Sequence, residues 1–173
     1  KPPAYPYPVD EALAAEGAAL YRQYCLNCHG GPGFRDGVLE GDRLGQVEAI
    51  ADIGTDRHRF DSYTYQFATE QYSLYAESPY RFKQFRKTIG YANHPLDGIC
   101  LGAPFLHNGS VPTLRDLLEP PERRPARFYR GYDVFDQEKV GFVSNVPAAG
   151  SRRLSVFDIS LPGNSNRRHT YGT

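Results

Sequence analysis

Apolar residues in the first quarter of the chain recur at helical spacing. Leu13, Leu20, Tyr21 and Tyr24 fall near one face, and Asp10 stands where an N-cap belongs, so the pattern predicts a helix over Glu11–Tyr24. Gly30-Gly31-Pro32-Gly33 then breaks any helix. Further on, the pattern predicts a short helix over Arg43–Ala51, the loop Gly54-Thr55-Asp56 and a stronger helix over Ser62–Tyr75. A long irregular stretch runs from Pro79 to Pro112, after which Thr113 caps a short helix through Leu118. Alternating positions over Phe128–Val134 and Leu154–Ile159 read as two short strands able to pair. The expected class is mainly α, with long loops and a few short β-strands in the second half.

Composition narrows the picture without changing it. A chain of 173 residues with 40% hydrophobic content suits one domain with one core. The proline-rich start, Lys-Pro-Pro-Ala-Tyr-Pro-Tyr-Pro, predicts an extended arm over residues 1–8, with a single domain over 9–173. That start reads as a mature terminus or an interior cut. Seventeen glycines and fourteen prolines explain why so much of the chain reads as loop. Formal net charge is zero, which gives no electrostatic case for nucleic acid or an anionic membrane surface. No apolar run approaches the ~20 residues of a membrane span.

The candidate chemistry sits at Cys25-Leu26-Asn27-Cys28-His29, the C-x-x-C-H attachment signature of a c-type haem. Two thiols one helical turn apart add across the porphyrin vinyl groups, and the next imidazole reaches the iron from one face. A structural zinc site needs a second close pair of ligands, whereas the other cysteine, Cys100, stands alone. A thioredoxin-type disulfide needs a βαβ setting that the flanking pattern lacks. One covalently bound haem c is therefore expected. Covalent haem attachment takes place outside the cytoplasm in bacteria, which implies a periplasmic or extracellular location.

An absence is equally informative. The chain contains no methionine, so the His/Met ligation of ordinary soluble cytochromes c is unavailable. The second face of the iron falls to another side chain, to water or a small ligand, or to another chain. His58, His94, His107 and His169 compete for it. A face closed by a protein ligand makes an electron carrier, and an open one makes a catalyst.

Several segments in consistent order resemble the C-terminal haem domain of the rubber oxygenase family, secreted dihaem c-type proteins distantly related to dihaem cytochrome c peroxidases. They are Tyr5-Pro6-Tyr7-Pro8, Ile53-Gly54-Thr55-Asp56, Pro95-Leu96-Asp97-Gly98-Ile99 and the run Ala103-Pro104-Phe105-Leu106-His107-Asn108-Gly109-Ser110-Val111-Pro112-Thr113-Leu114. Leu161-Pro162-Gly163-Asn164-Ser165-Asn166 and His169-Thr170-Tyr171-Gly172-Thr173 complete the set. The resemblance implies a cytochrome c-like haem domain whose iron is held by His29 and, from the last segment, His169. It places His107 close to the haem without making it an iron ligand. It also implies a helix following Thr173 that packs on the first helix around Gly17 and Tyr21.

The departures matter too. The family's active haem lies in a separate domain with its own C-x-x-C-H, so oxygenase activity on polyisoprene is not carried over to this single motif. Cys100 stands where the family usually has an aromatic residue, and Tyr91-Ala92-Asn93-His94 departs from a more basic pattern. Cys100 reads as a small buried apolar residue, with an intermolecular disulfide or a haem-edge contact as alternatives. The basic run Arg81, Lys83, Arg86 and Lys87 reads as a solvated face, with pairing to a haem propionate as the alternative. The expected function is a monohaem cytochrome that exchanges electrons with redox partner proteins. The alternatives are a peroxidase or oxygenase with an open iron face, and a haem subunit of a larger electron-transfer assembly or filament.

Overall fold

Asp10 opens the first helix as its position predicts: its carboxylate accepts from the backbone N–H groups of Ala12 (3.0 Å) and Leu13 (3.1 Å). Helix α1 spans Glu11–Tyr24, and after Cys25 a single further turn, α2, spans Leu26–His29. Gly30 ends α2 at φ 77°, a conformation that favours glycine. Tyr21 Oη donates to the Gly30 carbonyl at 2.8 Å and folds the end of α2 back against α1. A computed structural model gives this architecture and describes residues 4–31, 40–81, 83 and 86–170. Pro32 and Gly33 of the expected helix breaker lie outside the described residues.

The helix expected over Arg43–Ala51 is not formed. Gly45 adopts φ 77° and its N–H goes to the Asn93 carbonyl, which ends the preceding turn. Strand β1 (Val47–Ala49) follows and pairs antiparallel with β2 (Gly90–Ala92), a strand inside the stretch expected to be irregular. Helix α3 (Ile50–Ile53) continues directly from β1. The helix expected over Ser62–Tyr75 forms only as α5 (Tyr65–Ser73), and a separate turn, α4 (His58–Ser62), precedes it. Thr64 starts α5 by accepting from Phe67 N at 3.0 Å, a cap at an interior position of the predicted helix.

The second half is built from short ladders. Helix α6 (Leu114–Leu118) starts where expected, with Thr113 Oγ1 accepting from Asp116 N at 3.1 Å. Strands β3 (Arg127–Arg130) and β8 (Ser155–Asp158) pair antiparallel within the two segments that the alternation picked out. Between them lie two small hairpins, β4 (Phe135–Asp136) with β5 (Gly141–Phe142) and β6 (Ala148–Ala149) with β7 (Arg152–Arg153). Tyr7 stacks on Phe135 and Tyr5 Oη donates to the Gln137 carbonyl at 3.1 Å, so the aromatic residues of the arm rest on the first hairpin. The mainly α expectation is corrected here: helix accounts for 30% and strand for 16%, with helices that are mostly single turns. Glycine and proline cut the helical segments short, and pairing across the chain replaces local hydrogen bonds.

The apolar core joins Phe105 and Val111 to Phe128, Leu154 and Phe157, with Phe128 and Phe157 stacked at 5.0 Å. Ser110, Thr113, Arg124 and Asn166 are buried in the same half of the chain. Buried polar groups must find partners inside the fold, and Ser110 and Arg124 find theirs among the carbonyls of residues 165–169. By contrast α1 buries none of its side chains.

Candidate functional site

The turn that joins α1 to α2 sets the geometry of the first site residues. Backbone bonds from Cys28 N (3.2 Å) and His29 N (2.9 Å) to the Cys25 carbonyl hold the motif as one helical turn. Cys25 and Cys28 are half-buried thiols, and burial, with Cys28 beside it, pushes the Cys25 thiol up. His29 Nδ1 lies 2.8 Å from the His94 carbonyl. A carbonyl only accepts, so Nδ1 is the donor and Nε2 is the ring nitrogen left to meet a metal. Such a bond orients a metal-binding imidazole and raises its basicity.

His169 faces His29 from the other end of the chain. The two ring centres are 6.2 Å apart with 49° between their planes. Burial first, then the neighbouring His29 and Arg124, lowers the His169 pKa to about 4, so its ring is neutral at ordinary pH. Arg168 (φ 77°) and His169 (φ 55°) are both left-handed, a conformation that costs a non-glycine residue about 1–3 kcal/mol and persists where surrounding contacts impose it. Those contacts come from Arg124, only 4% exposed, whose Nη1 reaches the Asn166 (2.5 Å) and Arg168 (2.9 Å) carbonyls. Its Nη2 reaches the His169 carbonyl at 3.1 Å.

The remaining histidines take other places. His107 Nε2 donates to the Asp56 carbonyl at 2.8 Å, and its ring stacks on Tyr91 at 4.6 Å. Burial lowers its pKa, against the bond to Asp56, and favours the neutral ring. His58 is exposed and its Nδ1 lies 2.9 Å from the Asp56 carboxylate; the His94 side chain is exposed as well. No group of three or more histidine, cysteine or acidic residues among the described residues could hold a metal ion.

The run from Phe105 to Val111 is a tight loop closed by Phe105 N to Val111 O at 2.7 Å. Asn108 Nδ2 donates to the Gly163 (3.1 Å) and Ser165 (2.9 Å) carbonyls, and Ser110 Oγ donates to Ser165 O at 3.1 Å. On the other side the Asp56 carboxylate accepts from Ser165 N (3.2 Å) and His58 N (2.9 Å). Burial pushes the Asp56 pKa up, but these bonds outweigh it and hold the carboxyl below its ordinary value. Gly54, at φ 67°, lies under the Arg168 side chain. Two motif segments thus grip the arm that ends in His169.

Residues 90–129 match the family model described as RoxA-like, cytochrome c-like. This central stretch is therefore similar to a RoxA-like cytochrome c domain. This is the rubber oxygenase haem family that the motifs resemble, and the matched stretch contains the His107-Asn108-Gly109-Ser110 loop, β2, α6 and Arg124. Two proteins of Sinorhizobium fredii (strain NBRC 101917 / NGR234) are also similar. Uncharacterized protein y4iJ is 30% identical over 99% of this chain and 37% of its own length. Uncharacterized protein y4iM is 32% identical over 97% of this chain and 43% of its own length. The chain spans about two fifths of the curated relatives that it matches.

The similarity to a cytochrome c-like domain implies haem c, and the described residues fit one. With metal–imidazole bonds of about 2 Å, a metal between two imidazoles sets their ring centres about 6 Å apart, and the His29–His169 spacing is 6.2 Å. Thr55 Oγ1 and Tyr91 Oη are buried with no hydrogen-bond partner among the described residues, and both lie in segments that flank His107. In this structure His29 and His169 come together, and His107 sits apart against Asp56 and Tyr91. Tyr171, Gly172 and Thr173 of the last motif lie outside the described residues. Lys87 leaves the solvated face predicted for its run, because its Nζ donates to the Phe60 (2.8 Å) and Tyr63 (2.7 Å) carbonyls at the end of α4. Sequence reasoning missed Arg124 and the part played by Asp56. Arg124, second of the pair Arg123-Arg124 ahead of Pro125, carries no pattern, and Asp56 works partly through its own carbonyl.

Proposed function

We propose that this domain is a monohaem c-type cytochrome that carries electrons. Its iron is held by His29 on one face and His169 on the other, and its porphyrin is tethered to Cys25 and Cys28. The observation that carries this reading is the pair of imidazoles opposed at 6.2 Å, each contributed from a different end of the chain. The haem supplies one-electron redox chemistry when bound there. The chain's own residues do the rest. His94 aims His29 through its carbonyl, while burial keeps the His169 ring neutral and able to donate its lone pair. His107, neutral and bonded to the Asp56 carbonyl, fits a packing role beside the haem. Double histidine ligation puts the potential below that of a His/Met centre.

In this reading the partners are redox proteins, and the location is the periplasm or the cell exterior, where thioether attachment is made. No helix among the described residues is long and apolar enough to cross a membrane. The test is optical and kinetic: haem-loaded protein should be low-spin in both oxidation states and slow toward carbon monoxide and peroxide. His169→Ala should become high-spin and bind carbon monoxide rapidly. Wild-type protein that reacts with peroxide as fast as the variant would reverse the assignment from carrier to catalyst.

One observation favours a second reading, a haem subunit of a larger electron-transfer assembly. Leu13 (64% exposed), Leu20 (58%) and Tyr24 (45%) leave the apolar side of α1 open. Size-exclusion chromatography discriminates: a persistent monomer with no partner in its native host supports a free carrier.

A further inference from the structure

We infer that Arg124 is the positioning residue of the distal ligand: it holds the left-handed turn that turns His169 toward His29. The inference rests on the ligand reading above. A guanidinium has five N–H donors, and all five of Arg124 are spent on backbone carbonyls. Nε donates to Glu119 (3.0 Å), Nη1 to Asn166 (2.5 Å) and Arg168 (2.9 Å), and Nη2 to Leu117 (3.1 Å) and His169 (3.1 Å). None of the acceptors is a carboxylate, so the buried group acts as a bracket between two pieces of chain and not as half of an ion pair.

The bracket is placed where the backbone most needs one. Leu117 and Glu119 belong to the end of α6, which is itself fixed by the Thr113 cap. The other three carbonyls span the arm from Asn166 to His169 and include both left-handed residues. Non-glycine residues leave that conformation once nothing holds them. Asn108, Ser110 and Asp56 grip the arm only as far as Ser165. Beyond that point, Arg124 supplies the hydrogen bonds that fix the carbonyls of residues 166, 168 and 169. Lysine keeps the charge but presents three rotatable donors from one atom, which cannot serve carbonyls on both sides of a planar fork.

The test uses haem-loaded full chain with Arg124→Lys, Arg124→Gln and, as reference, His169→Ala. Ferric spin state at rest and the rate of carbon monoxide binding to the ferrous form are read for each. The expected result is high-spin ferric iron and carbon monoxide binding at least fivefold faster in both Arg124 variants. Added imidazole should restore a low-spin spectrum, as it does for His169→Ala, which shows that the pocket is intact. If Arg124→Gln does not fold, Arg124→Lys decides. Arg124 variants that stay low-spin, with rates within fivefold of wild type, overturn the inference if His169→Ala is high-spin. If His169→Ala itself stays low-spin, the ligand reading fails first and takes the inference with it.

Discussion

Replacing Asn108 by alanine tests how the His107-Asn108-Gly109-Ser110 loop works on the distal arm. Three hydrogen bonds disappear: Nδ2 to Gly163 O (3.1 Å), Nδ2 to Ser165 O (2.9 Å) and Ser110 N to Oδ1 (3.2 Å). Each is worth about 1 kcal/mol net, and more where a buried partner is left without a substitute. Ser165 O keeps its bond from Ser110 Oγ at 3.1 Å, so the largest loss falls on Gly163 O and Ser110 N. The sum is about 2–3 kcal/mol, which for a domain of this size lowers Tm by roughly 5–10 °C. Thermal unfolding of the haem-loaded protein, followed by far-ultraviolet circular dichroism, measures it. Asn108→Asp keeps the acceptor, loses both donors and sets a carboxylate against two carbonyls, so it should cost at least as much. A shift under 1 °C for either variant would refute the idea that this loop grips the arm.

Three further outcomes follow from the same structure. Burial, with His29 and Arg124 nearby, lowers the His169 pKa to about 4; a lowered histidine pKa favours the neutral ring in place. The stabilisation is thus complete above the ordinary histidine range and is lost as pH falls toward about 4. Urea unfolding of the protein without haem should show this loss as pH falls from the ordinary histidine range to about 4, and a stability that stays flat over that window would contradict a buried His169 ring. Gly90→Ala puts a Cβ on the Glu48 carbonyl across the β1–β2 pair, where backbone must move, and should cost roughly 3 kcal/mol or more in urea unfolding. Cys25→Ser with Cys28→Ser should leave no haem stain on a denaturing gel, while His29→Ala should keep the stain and lose the low-spin spectrum.

Legibility in the sequence depended on how local the cause was. Asp10 and Thr113 were readable as caps because the bond closes within three residues of the side chain. The β3–β8 pair was readable because alternation is a local pattern, even though the partners are 25 or more residues apart. Strand β2 was not, since three residues with a glycine at the first position give no period to detect, and its pairing is decided by β1. The single helix over Ser62–Tyr75 failed at Thr64, a threonine that looks like an interior residue and acts as a cap. At the site, C-x-x-C-H can be read from spacing alone, and the proposal of His169 as a ligand came from family resemblance joined to the lack of methionine. Arg124 and the carbonyls of His94 and Asp56 stayed hidden, because a backbone acceptor has no residue type.

Low-temperature electron paramagnetic resonance of the resting ferric protein tests the central assignment most directly. An iron gripped by His29 and His169 gives low-spin signals of a bis-imidazole centre with no high-spin component. A dominant high-spin signal at rest would show that no strong-field protein ligand closes the second face, and His169 would lose its place on the metal.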